Sequence, residues 1–240
     1  MDERIALVTG ANRGIGYAIA RGLAVAGFQV LVGARSTEPG RAAVEKLVAD
    51  GHQATYLPLD VADEESVAAA AAEVHRSYGR LDALVNNAAI WLDAAPTPSA
   101  TPLDVLRRTY ETNVFAVVAV TNAFLPLLRR SPAGRIVNLS SELGSLGRIT
   151  DPASDYHRSA FLAYNTSKTA VNAVTVAYAN ELWDTPIKVN AADPGACATD
   201  MNAEGHRSPE QGAATPVRLA SLPADGPSGG FFFDDVPQPW

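Results

Sequence analysis

Tyr164-Asn165-Thr166-Ser167-Lys168 sets a phenol and an ammonium four residues apart, on one face if the segment is a helix. A free tyrosine, with a pKa of about 10, exchanges protons poorly near neutrality. A cation held beside it favours the phenolate and brings the group towards the working range. Spacing of this kind also arises on any solvated helical face, so its meaning depends on what else the chain carries. A second segment, Thr9-Gly10-Ala11-Asn12-Arg13-Gly14-Ile15-Gly16, could hold a phosphate. Its glycines let the backbone turn sharply and approach a pyrophosphate, whose charge would meet the free N–H groups of a helix N-terminus.

The elements that must position these residues follow from periodicity. Apolar or β-branched runs at Ile5–Thr9, Gln29–Ala34, Ala54–Pro58, Ala83–Asn87, Arg135–Leu139 and Ile187–Ala192 read as buried strands. Helical periodicity covers Ile15–Ala26, Pro39–Asp50, Glu64–Tyr78, Val105–Leu128 and Tyr164–Leu182, with a shorter helix around Pro209–Leu219. Gly27, Gly51 and Gly79 fall where helix C-caps are expected. Strict alternation of strand and helix implies an α/β fold of the Rossmann type: one doubly wound parallel sheet with helices on both faces. A single domain over residues 1–240 is expected. Two stretches break the alternation, 143–163 and 195–208, and are expected to be site loops. Gly229–Asp234 reads as a last strand, and Pro237–Trp240 as an anchor or a frayed end.

Composition removes several classes of function. A net charge of −7 without any Lys/Arg cluster argues against a nucleic-acid partner or an anionic membrane surface. Cys197 is the single cysteine, so an internal disulfide or a multi-cysteine zinc site is excluded. His52, His75, His157 and His206 are scattered, and no metal site is expected. Met1-Asp2-Glu3-Arg4 runs straight into an apolar strand pattern, and no segment approaches about 18 uninterrupted apolar residues. A cytoplasmic protein is expected.

The glycine segment, in its strand-to-helix setting, resembles the Thr-Gly-x-x-x-Gly-x-Gly motif of the short-chain dehydrogenase/reductase family. Further motifs of that family recur in order along essentially the whole chain. Asp60, followed by Val61, matches the acid that meets the adenine. Asn86-Asn87-Ala88-Ala89 matches the Asn-Asn-Ala-Gly segment, with Ala89 in place of the glycine. Asn113 lies in a Thr-Asn-Val motif. The Gly-Arg-Ile-Val-x-x-x-Ser run ends on Ser141, although neighbouring Ser140 is as well placed by inspection. Pro194-Gly195 and Thr199 match the loop that meets the nicotinamide carboxamide.

The resemblance implies catalysis by Asn113, Ser141, Tyr164 and Lys168. Tyr164 would donate a proton to a carbonyl oxygen that Ser141 holds and polarises. Lys168 would lower the Tyr164 pKa and bind the nicotinamide ribose. Asn113 would position a water, although it could equally bridge helix and strand. Gly10, Asn12, Arg13, Gly14, Ile15, Gly16, Asp60, Val61, Asn87, Pro194, Gly195 and Thr199 would bind the dinucleotide along with Tyr164 and Lys168. The second strand ends Val32-Gly33-Ala34-Arg35 without an acid. Arg13 and Arg35 together suit a 2′-phosphate, so NADP(H) is the expected cofactor.

The segments Gly195–Met201, Ser208–Pro223 and Gly229–Asp235 are similar to the carbonyl reductase-like subgroup, which includes plant menthone and salutaridine reductases. That similarity implies NADPH-dependent reduction of a ketone or aldehyde. Alcohol oxidation, C=N reduction and non-catalytic dinucleotide sensing are the other uses of such a scaffold. Members of the subgroup carry a long helical insertion before the tyrosine. Here Tyr164 follows Ser141 by 23 positions, short for that insertion, and a monomer is expected. Trp91, Leu143, Tyr156, Phe161 and Met201 would line a pocket for an apolar carbonyl compound. Cys197 is expected in a pocket wall or buried rather than acting as a nucleophile.

Overall fold

In a computed structural model, residues 4–95 and 97–240 are described; Met1–Glu3, the start of the N-terminal reading above, lie outside them. Eight strands form one sheet in the order β3-β2-β1-β4-β5-β6-β7-β8. They are β1 (Arg4–Thr9), β2 (Phe28–Ala34), β3 (Ala54–Pro58), β4 (Ala83–Asn86), β5 (Arg135–Leu139), β6 (Lys188–Asp193), β7 (Phe231–Phe233) and β8 (Val236–Pro237). Strands β1 to β7 are parallel, and β8 turns back antiparallel on β7. The order reverses between β1 and β4. In open parallel sheets, ligands bind at such a switch point, beyond the carboxyl ends of the strands.

Two helical layers bury the sheet. On one face lie α1 (Gly14–Val25), α2 (Thr37–Ala49) and α8 (Pro209–Ala220), whose Ile19, Leu23, Leu47 and Leu219 pack on Val8, Val30, Val137 and Ala192. On the other lie α3 (Glu64–Tyr78), α5 (Ala116–Leu128) and α7 (Leu162–Glu181), whose Val74, Phe124 and Leu182 pack on Leu7, Leu84, Ile136 and Val189. Each such fully buried aliphatic or aromatic side chain contributes about 1.5–3 kcal/mol. Alternation along β5 and β6 therefore assigns every residue to one layer or the other. Helix ends follow local chemistry. Asp63 caps α3 by accepting from Glu65 N–H at 3.0 Å, Ser208 and Gln211 form a capping box on α8, and Gly27, Gly51 and Gly79 take positive φ.

Four expectations change. The helix read as Val105–Leu128 begins at Leu103 and is interrupted: α4 (Leu103–Tyr110) passes into a π turn at Glu111–Phe115 before α5. The loop 143–163 is partly helical, with a 3-10 turn at Glu142–Gly144 and α6 at Leu146–Thr150, and α7 starts at Leu162. Strand β6 runs one residue further than expected and takes in Asp193, and β4 stops at Asn86, leaving Asn87 outside. The last strand is a hairpin, and the tail is an anchor: Trp240 stacks on Phe231 with ring centroids 5.7 Å apart, and Gly147 N–H donates to Trp240 O at 3.0 Å. By length and composition the helical stretch Leu103–Leu128 could cross a membrane, but half of its apolar 18-residue window is buried inside the fold. Its Thr121 accepts a hydrogen bond from Asn86 at 3.1 Å.

Candidate active site

The turn after β1 is shaped for close backbone approach. Gly10 and Gly14 have φ of +65° and +55°, and a Cβ at Gly16 would stand 2.3 Å from Gly10 O and 2.5 Å from Asn87 Nδ2. Asn87 fixes the turn from the neighbouring strand, donating to Thr9 O at 2.8 Å and Gly10 O at 3.3 Å. Thr9 Oγ1 accepts from Asn87 N–H and Ala88 N–H at 2.9 and 3.0 Å. The first turn of α1 holds no acid, and no side chain caps it. Its N–H groups are therefore open to an anion. A cradle that only glycine fits, at an uncapped helix start beside the switch point, suits a dinucleotide pyrophosphate.

Around it stand the other expected cofactor residues. Ile15 packs against the α1/α2/α8 core, Val61 against the opposite one, and Asp60 Oδ1 accepts from Ala62 N–H at 3.1 Å. Asn12 is half-buried, and Pro194 and Gly195 follow β6 directly. The loop carrying Thr199 lies against the glycine turn, since a Cβ at Gly14 would meet Thr199 Cγ2 at 3.6 Å. Arg13 differs from expectation. Its guanidinium pairs with Asp200 Oδ2 at 2.5 Å rather than converging with the exposed Arg35, because Asp200 is the carboxylate brought across the cleft by the Thr199 loop.

Tyr164 and Lys168 share one face of α7 and are both buried, 9% and 3% exposed. Lys168 Nζ donates to Leu139 O at 2.7 Å and sits 5.6 Å from the Tyr164 ring centroid. The two serines separate cleanly. Ser140 faces the core, donating to Asn172 Oδ1 at 2.5 Å, whereas the Ser141 hydroxyl accepts from Leu143 N–H at 3.2 Å and acts on the Tyr164 phenol, favouring its charged form. Asn113 opens the π turn's inner side to the loop after β4. Its Oδ1 accepts from Ile90 N–H at 2.8 Å, and Nδ2 donates to Ile90 O at 2.9 Å and Ser167 Oγ at 3.0 Å. Both amide hydrogens are thus engaged, one by the loop after β4 and one by α7, and neither by a strand.

The electrostatics do not match the simple expectation that Lys168 lowers the Tyr164 pKa. Burial pushes the phenol well above its ordinary value, the Asp193 charge adds to this, and the Ser141 hydroxyl opposes both. Burial pushes Lys168 down to about 8, against the pull of Asp193. The helix spacing is as read; what it could not show is that both groups sit away from water, which penalises both charged forms.

One expected pocket residue meets Tyr164 directly, and a second meets the first. Trp91 stacks on the Tyr164 ring at 4.6 Å and an interplanar angle of 15°, and meets Phe161 edge-on at 4.8 Å. Leu143 follows the Ser141 turn, and Met201 is 45% exposed in the turn Thr199–Asn202. Tyr156, pushed up to about 12 by burial and then by the Glu142 and Asp193 charges, brings two acids into what was expected to be an apolar wall. Cys197 is buried, its thiol donating to Pro194 O at 3.3 Å and pushed up by burial.

Sequence reasoning passed over Asp93 and Asp193. Asp93 caps α7 from a distance, accepting from Ala163 N–H and Tyr164 N–H, both at 2.9 Å, where the helix's own Phe161 supplies no cap. No local pattern links residues 70 positions apart. An acid directly before Pro194-Gly195 was visible but had no stated role. Asp93→Ala is expected to cost about 1 kcal/mol of stability, as for a lost helix cap. It should also lower turnover by loosening Tyr164 while leaving dinucleotide affinity near wild type. Thermal unfolding with a dinucleotide titration checks this, and an unchanged melting temperature contradicts it.

A model of the short chain dehydrogenase family matches residues 4–210. A Penicillium roqueforti short-chain dehydrogenase, anuI, is 39% identical over 228 residues, covering 92% of this chain and 90% of the relative. Rabbit (Oryctolagus cuniculus) carbonyl reductase [NADPH] 1 is 35% identical over 279 residues, covering 100% of this chain and 99% of the relative. That alignment is longer than the 240 residues of the chain, so the rabbit protein carries segments absent here. The solved structure of salutaridine reductase from Papaver somniferum superposes with a TM-score of 0.84 at 31% identity, covering 97% of this chain and all of that one. A family model spanning most of the chain and relatives above 30% identity along nearly its whole length agree, and the chain belongs to the short-chain dehydrogenase family.

Proposed function

We propose that the protein reduces a ketone or aldehyde to the alcohol, with Tyr164 as proton donor. The chain is an NADP(H)-dependent short-chain oxidoreductase, as its carbonyl reductase relatives indicate. The observation that carries the reading is Tyr164 and Lys168 buried together on one face of α7, Lys168 held by Leu139 O at the end of β5, the strand that leads into Ser141. Bound NADPH would supply the hydride to the carbonyl carbon.

This chain's residues do the rest. The backbone of Gly10, Asn12, Gly14, Ile15 and Gly16 holds the pyrophosphate, Asp60 and Val61 meet the adenine, and Asn87, Pro194, Gly195 and Thr199 flank the nicotinamide half. Arg13 exchanges Asp200 for the 2′-phosphate, which Arg35 also meets. Two guanidiniums against one dianion outweigh a single exposed carboxylate, whose ion pair with Arg13 contributes about 0–1 kcal/mol. Ser141, with one lone pair engaged by Leu143 N–H, turns its proton to the substrate oxygen. Tyr164, buried and raised, keeps its proton until charge gathers on that oxygen and then gives it up. Trp91 and Phe161 exclude water from one side of the phenol. Lys168 holds the nicotinamide ribose, and Asn113 keeps the floor of the site rigid, so that any water in the proton path rests on the neighbouring backbone.

Absorbance of NADPH at 340 nm, followed with a panel of aromatic and aliphatic aldehydes and ketones and repeated with NADH, tests the proposal. Turnover is expected with NADPH and bulky apolar carbonyls, and much less with NADH. Absence of turnover across the panel, or a preference for NADH, overturns it.

A further inference from the structure

Asp193 is a buried acid for which the proposed reduction has no use. It is 2% exposed and closes β6. Its Oδ1 accepts from Gly195 N–H at 2.8 Å, and its Oδ2 is buried without a hydrogen-bond partner. A carboxylate oxygen left so within a fold calls for a counter-charge or a proton.

Strand geometry says where that oxygen lies. Leu139 pairs with Ala192, so Asp193 stands opposite Ser140, one residue before Ser141. Val189 belongs to the α3/α5/α7 layer and Ala192 to the other, so alternation turns Asp193 towards α7. Its neighbours on that face of the sheet already meet α7 in sequence. Asn138 donates to Thr175 Oγ1 at 2.9 Å, and Ser140 donates to Asn172. The next positions along the same helical face are Lys168 and Tyr164, and the Asp193 charge acts on both.

The ionisable groups around the carboxylate come from every element packed against it. Glu142 lies in the turn after β5, Tyr156 in the loop before α7, Tyr164 and Lys168 on α7, and Cys197 and Arg207 in the loop before α8. Only two are cations. The terminal nitrogens of Arg207 are engaged by Asp234, at 2.8 and 3.3 Å, and by Gln211 O at 3.1 Å, while its Nε is buried without a hydrogen-bond partner and its charge draws Asp193 down. Lys168 uses one N–H on Leu139 O and has further donors to offer.

We propose that Asp193 is a positioning residue for the reaction's proton: its buried carboxylate keeps Lys168 an ammonium and Tyr164 a phenol, favouring reduction over alcohol oxidation. The proposal rests on the reading of Tyr164 as proton donor only for its effect on direction. Reduction needs a protonated Tyr164, and oxidation needs the phenolate that a nearby negative charge opposes. Burial, with the Glu142 charge adding to it, pushes Asp193 up to about 7 against the backbone N–H groups of Gly195 and Glu142 and the pull of Arg207. The bias is therefore strongest above neutrality and fades below it.

The chain has three lysines, Lys46, Lys168 and Lys188, so lysine labelled with carbon-13 at Cε gives a spectrum that Lys168→Met assigns. The Lys168 titration midpoint is expected to fall by about one pH unit or more in Asp193→Asn and to return in Asp193→Glu. Should the Asn variant not fold, Asp193→Ser serves. A midpoint that does not move in the charge-free variants overturns the proposal, whatever happens to turnover. In parallel, the alkaline limb of carbonyl reduction should move to lower pH, and kcat for oxidation relative to kcat for reduction, each at saturating substrates and fixed pH, should rise. If no carbonyl is reduced, the proposed function fails while the lysine titration still decides the role of Asp193.

Discussion

Tyr164→Phe is expected to lower turnover of carbonyl reduction by about 100- to 10,000-fold, the range for loss of a positioned general acid. Affinity for NADPH should stay within about twofold of wild type, because an interaction made only as charge develops lowers kcat and kcat/KM together. The structure makes this variant unusually clean. The phenyl ring keeps its stack on Trp91, 4.6 Å between centroids, and Tyr164 N–H still donates to Asp93. Removing a buried hydroxyl leaves only the Ser141 hydroxyl without this neighbour, and water or substrate can satisfy it. The melting temperature should therefore change little. Stopped-flow turnover with a fluorescence titration of NADPH separates chemistry from binding. Wild-type turnover in the variant would remove Tyr164 from the chemistry. Equal losses of affinity and rate would instead make it a binding residue.

Much of this site could be read from the chain because its parts are local. The glycine turn, the Tyr164/Lys168 spacing and the Pro194-Gly195 loop each sit within a few residues. The alternating elements that carry them have β-branched strands and glycine-ended helices, whose signals are also local. Features that depend on the sheet could not be read in the same way. Ser140 and Ser141 are equivalent by type, and they separate only when β5 alternation points Asn138 and Ser140 at α7. Asp93 acts across 70 positions, a pairing that exists only once the loop after β4 reaches the start of α7. The π turn at Glu111–Phe115 leaves the apolar periodicity on either side intact, so one helix was the natural reading. The largest physical surprise is the polarity around Tyr164. Spacing revealed the cation, but not the burial that depresses it or the charge of Asp193, which acts on both groups.

The same distinction between local type and three-dimensional setting governs stability at the far end of the sheet. Arg135 opens β5, the strand whose other end leads into Ser141, and its side chain is 2% exposed. It is paired with no carboxylate. Its guanidinium instead donates to four carbonyls: Gly134 O at 2.7 Å, Pro186 O at 3.1 Å, Leu222 O at 3.0 and 2.8 Å, and Pro223 O at 2.9 Å. One planar fork thus ties the entrances of β5 and β6 to the exit of α8. Lysine, a point charge with three donors, cannot reproduce it. Burial of the charge is costly, as its downward shift shows, yet removing it strands several buried acceptors at about 1–3 kcal/mol each. Arg135→Met, which retains much of the volume, is expected to lose about 3 kcal/mol or more. For a chain of this size that corresponds to a melting temperature about 6–12 °C lower, with Arg135→Lys falling between. Five residues of strand, roughly 16 Å, separate this cluster from the catalytic end, so kcat and KM of the folded fraction at low temperature should match wild type. Unfolding scans beside initial rates check both halves. An Arg135→Met protein as stable as wild type would mean that solvent replaces the guanidinium at those carbonyls. A stable but inactive one would mean that the two ends of β5 are mechanically coupled.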